Sequence, residues 1–270
     1  MEFLTILLSS LLAIVSPVGL VTDSVVEGAI RSRLDKVEQL EVRIDNTPNY
    51  EIIRGNVERV RVAGRGLWLT SDVRVDTLEL ETDPISIDLQ SLRQRDRKSP
   101  RDALKQPVQT GVHLIVTEAD MNRVLRSPRA IAQFKQIGRR LVGDSAQAYE
   151  FLNPQIDFLG NNRLRFQVDV KQGNAQPQQV TVESGIGITN GHSLQLLEPT
   201  ASINGVKLPP QVVVGFATGI SNRFNLRKLE EAGITARILQ LQVGTDTLDA
   251  AAFVRLDTSN RRPEPSTETN

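Results

Sequence analysis

The chain has 270 residues, of which 39% are apolar and 24% charged, enough apolar side chains to build a core over most of its length. Its 32 basic and 32 acidic residues cancel, and no stacking aromatics are interleaved with the basic ones, which argues against a nucleic-acid binder. Cysteine is absent, which removes disulfides, thiolate metal sites and cysteine nucleophiles together.

Phe3 to Val15 is an apolar run interrupted only by Thr5, Ser9 and Ser10, and Ser16-Pro17 follows it. A run of this length suits the core of an export signal better than a spanning helix, which needs about 20 residues. Glu2 and the lack of a cleavage site before Asp23 point instead to an uncleaved anchor, reaching Val21 if Pro17 only kinks the helix. A helix buried in the fold is the third reading. All three stay open, so the chain is expected to be membrane-associated or exported to the cell envelope, with the side of the membrane undecided. Residues 1–22 are set apart as this segment.

Val26, Ile30, Leu34 and Val37 then recur at helical spacing beside Val25 and Ala29, predicting an amphipathic core-packing helix. From Gln39 the period changes to two. Leu40, Val42 and Ile44 predict one half-buried strand, and Val60 and Val62 a second that is punctuated by Gly64 and Gly66. The change of phase between Val73, Val75 and Leu78, Leu80 predicts a bulge near Asp76-Thr77. Ile85, Ile87 and Leu89 follow Pro84 as another strand. With no helices between them, these strands predict antiparallel pairing.

Residues 93–107 are basic and proline-punctuated. They read first as a solvated linker; the alternative is that Arg93, Arg95, Arg97, Lys98 and Arg101 meet anionic head groups at a membrane surface. A strand over Val112–Val116 leads to Thr117 as N-cap of a helix carrying Met121, Val124 and Leu125. Ser127-Pro128 restarts that helix, with Ile131, Phe134, Ile137 and Leu141 continuing the stripe.

The second half repeats the plan of strands and then a helix. Gly160-Asn161-Asn162, Asn190-Gly191 and Asn204-Gly205 are hairpin signals between alternating runs such as Leu164, Phe166, Val168 and Val170. Pro209-Pro210 opens a helix, Asn225 caps a short one ending at Gly233, and strands over Ile238–Val243 and Leu248–Leu256 close the fold. Residues 258–270 are polar and expected to be disordered.

Local signatures of catalysis are missing. The two histidines, His113 and His192, have no second ligand at metal spacing and read as structural. Glu183-Ser184-Gly185 is not a nucleophile elbow, and Gly185-Ile186-Gly187 is not a dinucleotide fingerprint. Glu230-Glu231 reads as a solvated pair. No catalytic residue, cofactor or metal is therefore expected.

The run Val42-Arg43-Ile44-Asp45, then Pro48, Ile53-Arg54-Gly55 with Val57 and Val60, and later Thr117-Glu118-Ala119-Asp120-Met121-Asn122 resembles the LmeA-like phospholipid-binding family, long known as a domain of unknown function. The resemblance covers roughly residues 20–257 and is nearest to cyanobacterial members. It implies non-catalytic phospholipid binding or transfer on an α+β fold similar to tubular lipid-binding domains, a curved antiparallel sheet wrapped around long helices with acyl chains in the channel between. On that reading the channel candidates are Val212, Val213, Phe216, Ile220 and Phe224, together with Met121, Leu125 and Trp68. The expected partners are phospholipid and a membrane surface. The alternative is an envelope adaptor that presents sheet edges to a protein.

Overall fold

The alternating runs pair antiparallel as predicted, but into two large sheets and a two-stranded one. The structure, a computed structural model, describes residues 23–46, 54–88, 103–142, 149–223 and 225–258. In chain order its helices are α1 (Asp23–Arg31), α2 (Glu118–Leu125), α3 (Pro128–Val142) and α4 (Pro210–Arg223). The strands are β1 (Lys36–Asp45), β2 (Asn56–Val57), β3 (Arg59–Thr70), β4 (Val73–Thr82), β5 (Ile85–Ser86), β6 (Val108–Thr117), β7 (Tyr149–Gly160), β8 (Arg163–Gln172), β9 (Gln178–Thr189), β10 (Ser193–Ile203), β11 (Val206–Lys207), β12 (Ile234–Val243) and β13 (Thr247–Leu256).

A six-stranded antiparallel sheet runs β1-β3-β4-β6-β13-β12, and a five-stranded one runs β11-β10-β9-β8-β7. The expected wrapping of sheet around long helices is not what the chain forms. Its helices have 9, 8, 15 and 14 residues and flank the sheets. Local signals bound α2 on both sides. Thr117 caps α2, its hydroxyl accepting from Asp120 N at 3.1 Å, and Pro128 breaks the register between α2 and α3 as anticipated.

Several boundaries differ from the sequence reading. The first helix ends at Arg31, and Val37 already lies in β1, because Ser32-Arg33-Leu34 turn the chain back through backbone bonds to Gly28, Ile30 and Arg31. Strand β3 runs unbroken through both glycines. Pairing with β4 has no slip at Asp76-Thr77; the irregularity falls between Trp68 and Thr70. The change of phase is still real, since Val75 and Leu78 are both buried. It lies opposite Gly66, whose φ of +58° is a left-handed geometry few other residues adopt inside a strand. The end of the basic linker is not solvated: Ala103 and Leu104 are buried in the first core. Ile87 leaves β5 and bridges to Leu104, and Leu89 lies outside the described residues.

The hairpin signals hold. Asn161-Asn162, Asn190-Gly191 and Asn204-Gly205 all have both residues at positive φ, as a two-residue turn matched to strand twist requires. Asn225 accepts from Arg227 N at 2.9 Å to start the 3-10 helix Leu226–Ala232, and left-handed Gly233 ends it.

The first core lies on one face of the six-stranded sheet. Leu40, Val62, Leu78, Leu80 and Leu256 are covered there by Val26 and Ile30 of α1, Val57 and Ile85 of the β2-β5 pair, Ala103-Leu104, and Leu226 and Leu229 of the 3-10 helix. A smaller second core joins the two sheets. Phe158, Ile186 and Val243 are buried together, with Met121, Leu164, Leu196 and Leu248 packed on them. Asn162 pins this junction: its Oδ1 accepts from Val243 N at 2.7 Å, and its backbone bonds to Val243 O and Ile186 N.

Candidate functional site

The alternation in the five-stranded sheet puts Ile156, Leu164, Phe166, Val168, Val170, Val180, Val182, Ala201 and Ile203 on one face, as the cross-strand registers require. The opposite face is polar, with Arg165 and Glu183 paired at 2.6 Å beside Gln167 and Thr181. An apolar sheet face of this kind must be covered or must hold something.

Two helices flank it. Phe134 of α3 meets Phe151 and Phe166, with ring centroids 6.4 and 5.8 Å away, so α3 lies over the β7 side. α4 packs along β10 and buries Val213 and Ala217. It starts beyond the β10–β11 turn and ends where Asn225 bridges to Ser193, the first residue of β10, so it runs back along that strand. The polar face of β10 is not where it sits, because Leu197 there is 43% exposed.

Between the helices the middle strands are incompletely covered. Val168 and Val182 are buried, but Leu164, Phe166, Val170 and Val180 are only half-buried. Strands β8 and β9 thus present a partly covered apolar strip between α3 and α4, called the trough below. The second core closes one end around Met121, Phe158, Ile186 and Leu196. The other end lies at the β8–β9 and β10–β11 turns. Ten residues of β8 give the floor a length of about 33 Å.

The residues expected to line a channel fall in different places. Val213 is buried under α4, whereas Val212 is 57% exposed on its outer side. Phe216 and Ile220 lie on α4 by their backbone, their side chains and all of Phe224 being outside the described residues, as are Arg93, Arg95, Arg97, Lys98 and Arg101. Met121 packs into the second core at the closed end of the trough, and Leu125 is half-buried at the end of α2. Trp68 is half-buried on β3 of the other sheet, under the Arg123 guanidinium 4.6 Å from its ring. Thus the α4 residues and Met121 share the five-stranded sheet, and Trp68 does not.

Sequence reasoning missed the polar clasp that carries α2. α2 packs Met121 into the second core as expected, but its buried residues are Asp120 and Asn122. Asp120 accepts from Arg74 at 2.8 Å, Arg123 at 2.7 Å and the Thr117 hydroxyl at 2.7 Å, tying α2 to the first sheet. Asn122 exchanges two 2.8 Å bonds with the backbone of Ile156, and Glu118 accepts from Phe158 N at 2.7 Å, tying it to the second. The Thr117 cap was the one legible signal.

The outer face of the six-stranded sheet carries a second concavity of about 560 Å³, lined by Arg43, Arg61, Glu79, His113, Leu239 and Ala251 among others. Its charges alternate in sign and neutralise one another, with Arg61 on Asp45 and Glu81. His113 sits between Asp249 at 3.0 Å and Glu79 at 3.3 Å. Partial desolvation pulls its pKa down, but the two carboxylates together outweigh that and hold it above the ordinary 6.5. His192 is buried against Ser193 Oγ at 2.9 Å, and Ser184 donates to backbone carbonyls of Gly185 and Leu197. Among the described residues no group of three or more His, Cys, Asp or Glu is placed to hold a metal ion, and no helix is long and apolar enough to cross a membrane.

No curated protein and no solved structure matches the chain. One family model does, over residues 16–253, and its description is LmeA-like phospholipid-binding. Covering nearly the whole chain, that match shows that the protein belongs to the LmeA-like phospholipid-binding family.

Proposed function

We propose that the protein binds a phospholipid without chemically altering it, and carries it at a membrane or in the cell envelope. The acyl chains lie in the trough over β8 and β9, between α3 and α4. The observation that carries this reading is the half-buried state of Phe166, Val170 and Val180 on an otherwise apolar sheet face. Each methylene placed against such a floor removes about 0.8 kcal/mol of unfavourable hydration, so no polar motif is needed for affinity. Val213, Phe216, Ala217 and Ile220 recur at helical spacing, which supports one α4 face as a wall.

Native mass spectrometry of the full chain purified without detergent, with extraction and identification of bound lipid, tests the reading. Phospholipid should co-purify, and Phe216→Asp or Ile220→Asp should release it with the circular dichroism spectrum unchanged. A folded protein that holds no lipid and takes up none when phospholipid is added would refute it.

The adaptor reading keeps one point in its favour. Leu239, 72% exposed, stands on the edge strand β12. It marks a register irregularity in that strand, a device that disfavours strand addition.

A further inference from the structure

The described residues expose few large apolar side chains. Three of them lie close in sequence at the open end of the trough: Val206 on β11 is 72% exposed, and Val212 and Val214, on either side of the buried Val213 in the first turns of α4, are 57% and 58% exposed. Pro209 and Pro210, also exposed, join the two elements. The neighbouring β8–β9 turn is held against this corner, since Asn204 N donates to Gln179 O and Gln179 N to Asn204 Oδ1, both at 2.9 Å.

The charge pattern of this end is one-sided. Across the whole chain acids and bases balance at 32 each. From Pro199 to Asn222, however, there is no acidic residue, while Lys207 stands on β11; Arg223, Arg227 and Lys228 lie at the other end of α4. The β8–β9 connection from Val170 to Val182 likewise carries Lys171 and no acid. Glu150, on the far edge strand, lies in register with Lys171. Exposed valines beside Lys207, on a stretch of chain without acids, suit a surface that is apolar within and negative at its rim.

We infer that the β10–β11 turn and the start of α4 form a docking tip for an anionic phospholipid bilayer, with Val206, Val212 and Val214 entering the boundary between head groups and acyl chains. The inference rests on the trough reading for its purpose, since the tip would bring the open end of the trough against the membrane and give a lipid a short dry path. Its geometry and charge are independent of whether a lipid is held.

The absence of cysteine makes a local test simple. Val206→Cys, Val212→Cys and Val214→Cys variants of the full chain, each labelled with an environment-sensitive fluorophore, are mixed with phosphatidylglycerol–phosphatidylcholine vesicles containing doxyl-labelled lipid. Gln195→Cys, on the polar face of β10, serves as control. The expected result is a blue shift and doxyl quenching at the three tip positions and neither at the control, even if residues 3–21 also hold the protein to the vesicle. Tip probes that stay water-exposed on vesicle-bound protein, that match the control, or that find no vesicle binding at all would overturn the inference. Lipid retained in native mass spectrometry reads the trough separately, so failure of the tip and failure of the trough are distinguishable.

Discussion

The two sheets share the same alternation of apolar and polar residues and differ in what covers the apolar face. In the six-stranded sheet a helix, a strand pair, a returning linker and a 3-10 helix seal Leu67, Leu78 and Val254 to 2% exposure or less. In the five-stranded sheet two helices stand over the flanks, and Phe166, Val170 and Val180 stay half-buried between the buried Val168 and Val182. The first sheet is a stabilising core; on the reading proposed above, the second trades stability for space. Strand patterning sets which face is apolar, but the elements that return to cover it decide whether that face is a core or a site.

The sharpest way to break this contrast is to damage the sealed side alone. Leu78→Ala leaves a cavity in a site only 1% exposed, and should cost about 4 kcal/mol in chemical denaturation while leaving the lipid content of the folded fraction unchanged. A similar loss of lipid would mean the sheets are not separable in function. Asp120→Ala attacks the link between them. With Arg74 only 16% exposed at the side chain and left without that carboxylate, a loss of about 3 kcal/mol is expected, together with a broader unfolding transition as α2 detaches from the first sheet.

The open side should respond the other way round. Val180→Asp puts a charge on the half-buried floor, and should reduce bound phospholipid at least about tenfold for a stability change near 1 kcal/mol. If it unfolds the protein instead, the trough is core. The smallest effect concerns His113. Its folded pKa is raised, so its contribution is complete below the unfolded value of 6.5 and is lost as pH rises through the folded one. The side chain is 36% exposed, so under about 0.5 kcal/mol should disappear between slightly acidic and slightly alkaline pH. His113→Gln should flatten that dependence without touching lipid binding.

Much of the placement of strands along the chain could be read from the residues. Leu164 to Val170 alternates strictly, and the three Asn-containing turns fix their own hairpins through left-handed backbone that Asn and Gly tolerate. Helix lengths could not be read in the same way, because Leu34 and Val37 continue a helical spacing that the turn after Arg31 ignores. Nor could the burial of Ala103-Leu104 or the Asp120 clasp, which depend on partners such as Ile87 and Arg74 far away in the chain. Val212 and Val213 are adjacent and equally apolar, yet one is 57% exposed and the other 4%. Only the placement of α4 along β10 separates a wall residue from a tip residue.

The trough itself is tested most directly by photo-crosslinking with a phospholipid that carries a diazirine near the end of one acyl chain, followed by peptide mapping on the full chain. Adducts concentrated on β8, β9 and the Val213–Ile220 stretch of α4 are the result this account predicts. Adducts confined to the outer face of the six-stranded sheet, around Ala63 and Ala251, would contradict it.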